Sequence, residues 1–168
     1  VLLVDVDLRR PTLHRQFALE NETGLSSLLT QQEQLDEVIR ASGQDNLDVV
    51  TSGPAPPSPT ELIASAQMDQ LVAEMTARYD VVIFDSPPIL GLADAPLMSA
   101  LVDGVVFIVE SERARHGSLK ASLRRLRTMR PMLLGAVLTM FDPSKAGHRY
   151  SEYYGYEYYS YTSRDKQD

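Results

Sequence analysis

The chain contains no cysteine and no tryptophan. Without cysteine there are no disulfides and no thiolate metal sites, which suits a reducing compartment, the cytosol by default. No apolar run approaches the roughly 18 to 20 residues of a membrane-spanning helix, and no signal-peptide pattern is present, so any membrane attachment has to come from elsewhere. Positive charge is the minority: Lys+Arg 16 against Asp+Glu 23 gives a formal net charge of −7, which argues against broad nucleic-acid binding. None of the nine glycines is followed by lysine. The pattern G-x-x-x-x-G-K-[ST], whose backbone amides cradle nucleotide phosphates, is therefore absent.

What remains is ordinary for a globular domain. The 168 residues are 43% apolar, enough for one domain or part of one with a substantial core. Five short apolar runs read as buried strands: Val1–Val4, Leu47–Val50, Val81–Phe84, Gly104–Val109 and Leu134–Met140. Helical patterns lie between them at 12–17, 25–40, 61–78, 93–101 and 114–129. The 61–78 helix has a marked start, with Ser58 as N-cap, Pro59 at the first helical position and Glu61 completing a capping box. Strands alternating with helices, with no Asn-Gly hairpin signal, indicate βαβ units: an α/β fold with a parallel sheet and helices on both faces. Pro54, Pro56, Pro57 and Pro59 stiffen the connection from the second strand into the 61–78 helix, a structural feature more than a catalytic one. The opening inside an apolar strand, with Val1 and not Met, predicts sequence upstream of it.

Ligands of such sheets sit outside the carboxyl ends of the strands, and acids collect there. Asp5 and Asp7 end the first strand, two residues apart and so on one side if the extended backbone persists. Asp85 ends the third, where Pro87 and Pro88 stop the chain from continuing. Carboxylates gathered this closely repel unless a cation joins them. With oxygen ligands alone, and His14, His116 and His148 scattered, Mg²⁺ fits better than zinc and brings a phosphorylated ligand with it. The plainer alternative is that each Asp caps a neighbouring turn or helix.

Two further features stand out. Arg113, Arg115, Lys120, Arg124, Arg125, Arg127 and Arg130 make a basic stretch, best explained as the solvated face of a helix whose Leu119, Leu123 and Leu126 point inward. Near the end, "YSEYYGYEYYSY" gathers Tyr150, Tyr153, Tyr154, Tyr156, Tyr158, Tyr159 and Tyr161, all the tyrosines but Tyr79. Neither helical nor strand periodicity places them on one face, and the flanks are turn-like and polar. The spacing is open between a mobile tail whose hydroxyls are modified and a self-associating aromatic segment. The division expected is residues 1–142 as a partial α/β domain and 143–168 as a flexible tyrosine-rich tail.

Four motifs in order carry a family resemblance over nearly the whole chain. "VLLVDVDLRRP" at 1–11 resembles the Walker A′ motif of bacterial tyrosine kinases (BY-kinases), and "VVIFDSPP" at 81–88 their Walker B motif. "PPSPTELI" at 56–63 is similar to the segment between the two, and a tyrosine cluster is the family's usual ending. The resemblance implies a P-loop NTPase-like (deviant Walker) domain that binds ATP with Mg²⁺ and phosphorylates tyrosines of its own tail in trans, namely Tyr150 to Tyr161. It implies that Asp7 and Asp85 hold Mg²⁺, directly or through its waters, and that Asp5 orients or deprotonates the incoming phenol. Arg9 would neutralise phosphate charge, with Arg10 a weaker candidate and Thr139 near the adenine. The family setting is the cytoplasmic face of the bacterial inner membrane: a homo-oligomeric ring, a transmembrane activator or polysaccharide co-polymerase domain as partner, and regulation of capsular or exopolysaccharide polymerisation and export.

The pattern also departs. The family's Walker A strand and loop lie upstream of Walker A′ and are missing here, so this stretch alone is expected to be inactive as a kinase. Thr139 stands in "AVLTMFD" where relatives often carry Asn. Two other readings share the acids: a deviant-Walker switch ATPase of the cell-division or partitioning type, and a non-catalytic scaffold with a vestigial nucleotide site. The tyrosine cluster separates the kinase from the first.

Overall fold

The computed structural model describes residues 1–111, 113 and 115–142. In chain order the elements are β1 (Leu2–Asp5), α1 (Leu13–Gln16), α2 (Leu25–Leu29), α3 (Leu35–Val38), β2 (Arg40–Ala41), β3 (Asp48–Val50), α4 (Pro59–Ile63), α5 (Ala66–Arg78), β4 (Val82–Asp85), α6 (Asp94–Met98), β5 (Val105–Glu110), α7 (His116–Arg127) and β6 (Leu133–Thr139). All five expected strands form, each within a residue or two of its apolar run. The mixed α/β architecture with parallel ladders is the expected one.

β1 is the centre. It pairs in parallel with β3 on one side and with β4 on the other, and β5 pairs in parallel with β6 in a separate two-stranded sheet. Leu2, Val4 and Val6, which share one face of β1, are completely buried, and Leu3 on the other face is partly buried. Against them pack α2, α3 and α5, the last through Met68, Leu71 and Met75 at the spacing of one helical face. Helix cover thins toward the second sheet: Ile83 of β4, Ile108 of β5 and Leu134 of β6 are 50%, 58% and 65% exposed.

Several local expectations change. The 25–40 helix is two short helices and the start of a strand, because Gln31 takes a left-handed φ of 57° that ends α2. A capping interaction starts α3 again: Gln34 N–H donates to Glu37 Oε2 at 2.8 Å. The antiparallel pair β2–β3 went unpredicted, since its turn spans Ser42 to Leu47 with Gly43 and Asn46 in positive φ and carries no Asn-Gly. The 61–78 helix breaks at Ser65, whose extended backbone separates α4 from α5 while its hydroxyl donates to Leu62 C=O at 2.7 Å. Ser58 does occupy the N-cap with Pro59 after it, but its side chain makes no capping hydrogen bond. On α7, Ser122 and Leu126 are buried while Lys120, Arg124, Arg125 and Arg127 are exposed, so the basic stretch is a solvated face as read.

Candidate nucleotide and metal site

The parallel register sets Asp5 directly opposite Asp85 at the carboxyl ends of β1 and β4. Val6 N–H still reaches across to Asp85 C=O at 2.8 Å, and then the chain leaves the sheet. Val6 and Leu8 turn into the core, so the residues alternating with them, Asp7 and Arg9, face outward.

The three acids are not equivalent. Asp5 is fully buried, and both its oxygens are engaged: Oδ1 accepts from Asp7 N–H, and Oδ2 from Thr12 and Leu13 N–H, each at 3.1 Å. It thereby folds the β1–α1 connection and satisfies amides at the start of α1. Burial holds its carboxyl above the ordinary carboxylate range, against the lowering effect of these bonds. Asp7 uses one oxygen, Oδ1, for Arg9 N–H at 3.1 Å and Arg10 N–H at 2.9 Å, and its other oxygen has no partner among the described residues. The Asp85 carboxylate has no hydrogen-bond partner among the described residues. Desolvation comes first in raising its pKa, and the charges of Asp5 and Asp7 add to it.

The acids thus lie within electrostatic reach of one another. Among the described residues, however, no three His, Asp or Glu side chains are arranged as a metal cage. Asp5 faces the backbone, which leaves Asp7 and Asp85. Two carboxylates with open oxygens suit Mg²⁺, which keeps several waters and takes one or two carboxylates plus phosphate oxygens. The donor set fits the implied ion.

Arg9 Nε donates to Asp94 Oδ2 at 2.9 Å, and its Nη2 to Thr60 Oγ1 at 2.9 Å. Thr60 Oγ1 in turn donates to Asp94 Oδ1 at 2.5 Å. The bond to Asp94 holds the guanidinium pKa above its usual value. Neither Asp94 nor Thr60 was among the candidates. Asp94 carried no signal of its own, and Thr60 sits in the proline-led segment that reads as structural. Arg10 is exposed beside Asp7 through its backbone alone. Thr139 ends β6 in the other sheet, where its hydroxyl faces Val109 C=O at 3.4 Å. The structure therefore gathers Asp5, Asp7, Arg9 and Asp85 around the β1–β4 edge and draws no contact between Thr139 and that group. The seven tail tyrosines lie outside the described residues.

Fold and site together define a P-loop NTPase-like α/β domain with acids at its strand ends. A family model described as AAA domain matches residues 1–132. Tyrosine-protein kinase YwqD of Bacillus subtilis is 43% identical over 155 residues, 92% of this chain and 65% of the relative. Putative tyrosine-protein kinase CapB of Staphylococcus aureus is 34% identical over 154 residues, 92% of this chain and 67% of the relative. The solved kinase domain of Escherichia coli tyrosine kinase ETK superposes with a TM-score of 0.80 at 32% identity, covering 86% of this chain and 57% of that one. The chain belongs to the bacterial tyrosine kinase family, and it spans about two thirds of the length of the first two relatives.

Proposed function

We propose that this chain is the acid-bearing part of an ATP-dependent protein-tyrosine autokinase. The observation that carries the proposal is the pair Asp7 and Asp85 beyond the ends of β1 and β4, carboxylates whose charges act on each other and which keep open oxygens among the described residues. Mg²⁺ bound there would neutralise phosphate charge, the main requirement of phosphoryl transfer. Arg9 adds a fixed cation beside it. The hydroxyl oxygen of a tail tyrosine attacks the γ-phosphorus, the bond to the β,γ-bridging oxygen breaks, ADP leaves and the phenolic proton passes to a base.

Asp5 is the candidate base from the motif. To take that role it must exchange its hydrogen bonds to Thr12 and Leu13 for the phenol, because in this structure its oxygens are committed to backbone amides. Until it does, its work is to hold the loop that carries Asp7 and Arg9. Without a G-x-x-x-x-G-K-[ST] loop in residues 1–168, ATP affinity rests on segments outside this stretch.

The acceptors are Tyr150 to Tyr161 of a neighbouring subunit in a ring. Each phosphate adds about −1.5 to −2 charges, so a multiply modified tail repels its surroundings and releases the assembly. The family resemblance supports a setting at the cytoplasmic face of the inner membrane, a transmembrane activator and a role in capsular or exopolysaccharide export. Among the described residues no helix is long and apolar enough to cross a membrane.

The test uses the full-length gene product with its activator. Incubation with ATP and Mg²⁺, followed by mapping of phosphate by mass spectrometry, is expected to place phosphate on Tyr150–Tyr161 and none in Asp7→Asn. Hydrolysis with an unmodified tail would instead favour a switch ATPase, and neither activity would leave a scaffold.

A further inference from the structure

Asp94 is an unusual residue to find buried. Its carboxylate is 1% exposed, and a charge so placed is tolerated only when paired and hydrogen-bonded. Both oxygens are: Oδ2 accepts from Arg9 Nε and Oδ1 from the Thr60 hydroxyl. Thr60 closes the ring by accepting from Arg9 Nη2 while donating to Asp94. Three residues from three places in the chain, the β1–α1 connection, the first turn of α4 and the first turn of α6, thus share one closed circuit.

The circuit constrains the guanidinium on one edge only. An arginine has five N–H donors in a rigid planar fork. Nε and one hydrogen of Nη2 are used, while Nη1 has no partner among the described residues, and the side chain is 37% exposed. A long exposed arginine would otherwise sample many rotamers, each an entropic cost on meeting a ligand. Held by Nε and Nη2, the fork has its outer donors free in one orientation, which is the form that recognises phosphate oxygens bidentately.

We propose that Asp94 and Thr60 are positioning residues that lock Arg9 so that its free N–H groups meet a phosphate of the bound nucleotide. This rests on the nucleotide-site reading above, and adds that the segment "SPT" at 58–60 and the start of α6 act on the site through Arg9. The pairing also explains how a guanidinium beside the acid cluster stays where it is: without Asp94 it would be drawn toward Asp7, whose charge reaches it.

The experiment is a double-mutant cycle on the full-length protein, reading ATP·Mg²⁺ affinity by calorimetry and Tm alongside. Arg9→Ala is expected to weaken affinity, and Thr60→Val to weaken it about 3- to 10-fold with some loss of Tm, because a buried Asp94 oxygen loses its donor, whereas Thr60→Ser retains the wild-type value of both. In the Arg9→Ala background, Thr60→Val is expected to cause no further loss. Additive losses would overturn the proposal, as would Thr60→Val binding ATP normally, or Thr60→Val and Thr60→Ser lowering Tm alike at constant affinity. Asp94→Asn, where it folds, is expected to follow Thr60→Val. If wild type binds no ATP·Mg²⁺ at all, the nucleotide-site reading fails first; if it binds and the cycle is additive, only the positioning role fails.

Discussion

Asp5 and Asp85 sit opposite each other at the ends of two paired strands, yet one carboxylate accepts three backbone N–H bonds and the other accepts none among the described residues. Similar chemistry at equivalent positions has been put to different ends: Asp5 shapes the connection, and Asp85 waits with open oxygens.

Substituting Asp5 by Asn should therefore act first on stability. The amide that replaces one oxygen faces an N–H donor, either that of Asp7 or those of Thr12 and Leu13. Leaving such buried groups unsatisfied costs about 1–3 kcal/mol. For a chain of this size that lowers Tm by roughly 2–10 °C in a thermal melt. An Asp5→Asn protein with unchanged Tm would show that these bonds contribute little.

Asp85→Asn should do the reverse at neutral pH. Its folded pKa is raised, by partial desolvation of a residue that is itself exposed and then by the charges of Asp5 and Asp7. A carboxyl so shifted takes up a proton more readily folded than unfolded, so stability grows as pH falls through the folded pKa and is lost as pH rises through it. Asp5 adds a change of the same sign. Removing the charge at Asp85 is expected to raise Tm at pH 7.5 by about 1 °C, since solvent screens an exposed carboxylate, and to shrink the gain seen on moving toward pH 5. Melts of wild type and variant across that range check the sign, and a lower Tm for the variant at pH 7.5 would contradict it.

Magnesium should relieve the same repulsion. Adding Mg²⁺ to the wild type is expected to raise Tm, and both Asp7→Asn and Asp85→Asn to weaken that response. The ion meets only two open carboxylates, so without nucleotide its effect should need millimolar concentrations. An undiminished response in both variants would place the ion elsewhere.

Tyr79 should remain unmodified in a protein phosphorylated on its tail. It is half-buried, and its hydroxyl donates to Asp48 Oδ2 at 2.9 Å, with burial and then that bond holding its pKa up. Tyr79→Phe is expected to leave total phosphate unchanged and to cost about 0.5–1.5 kcal/mol in chemical denaturation. Phosphate mapped to Tyr79 would show that the folded domain exposes it.

Gly24 carries a steric prediction. A Cβ there would lie 2.2 Å from Thr51 C=O and 2.4 Å from Gly53 N, both rigid backbone atoms. Leu25 and Ser26 N–H bond Thr51 and Ser52 C=O at 2.8 Å in the same place, so the segments cannot part cheaply. Gly24→Ala should cost about 1–3 kcal/mol or more, read from denaturant midpoints, and a neutral outcome would mean that the loop after β3 yields.

Local pattern was enough for the strands, since short β-branched runs have few other ways to bury themselves, and for placing Asp5, Asp7 and Asp85 at strand ends. The motif order was enough for the family. Pattern could not find the break at Ser65 or the β2–β3 hairpin, where backbone hydrogen bonds and positive φ decide over apolar spacing. Nor could it divide the labour among the acids, because that depends on which oxygens meet amides seven and eight residues away. Least legible was the Arg9–Asp94–Thr60 circuit, whose members lie 34 to 85 positions apart and become neighbours only when β1, α4 and α6 are assembled. Residue types and short-range order settled what chemistry this chain carries. Long-range packing settled which carboxylate is spent on the fold, which stays open, and which arginine is held still between them.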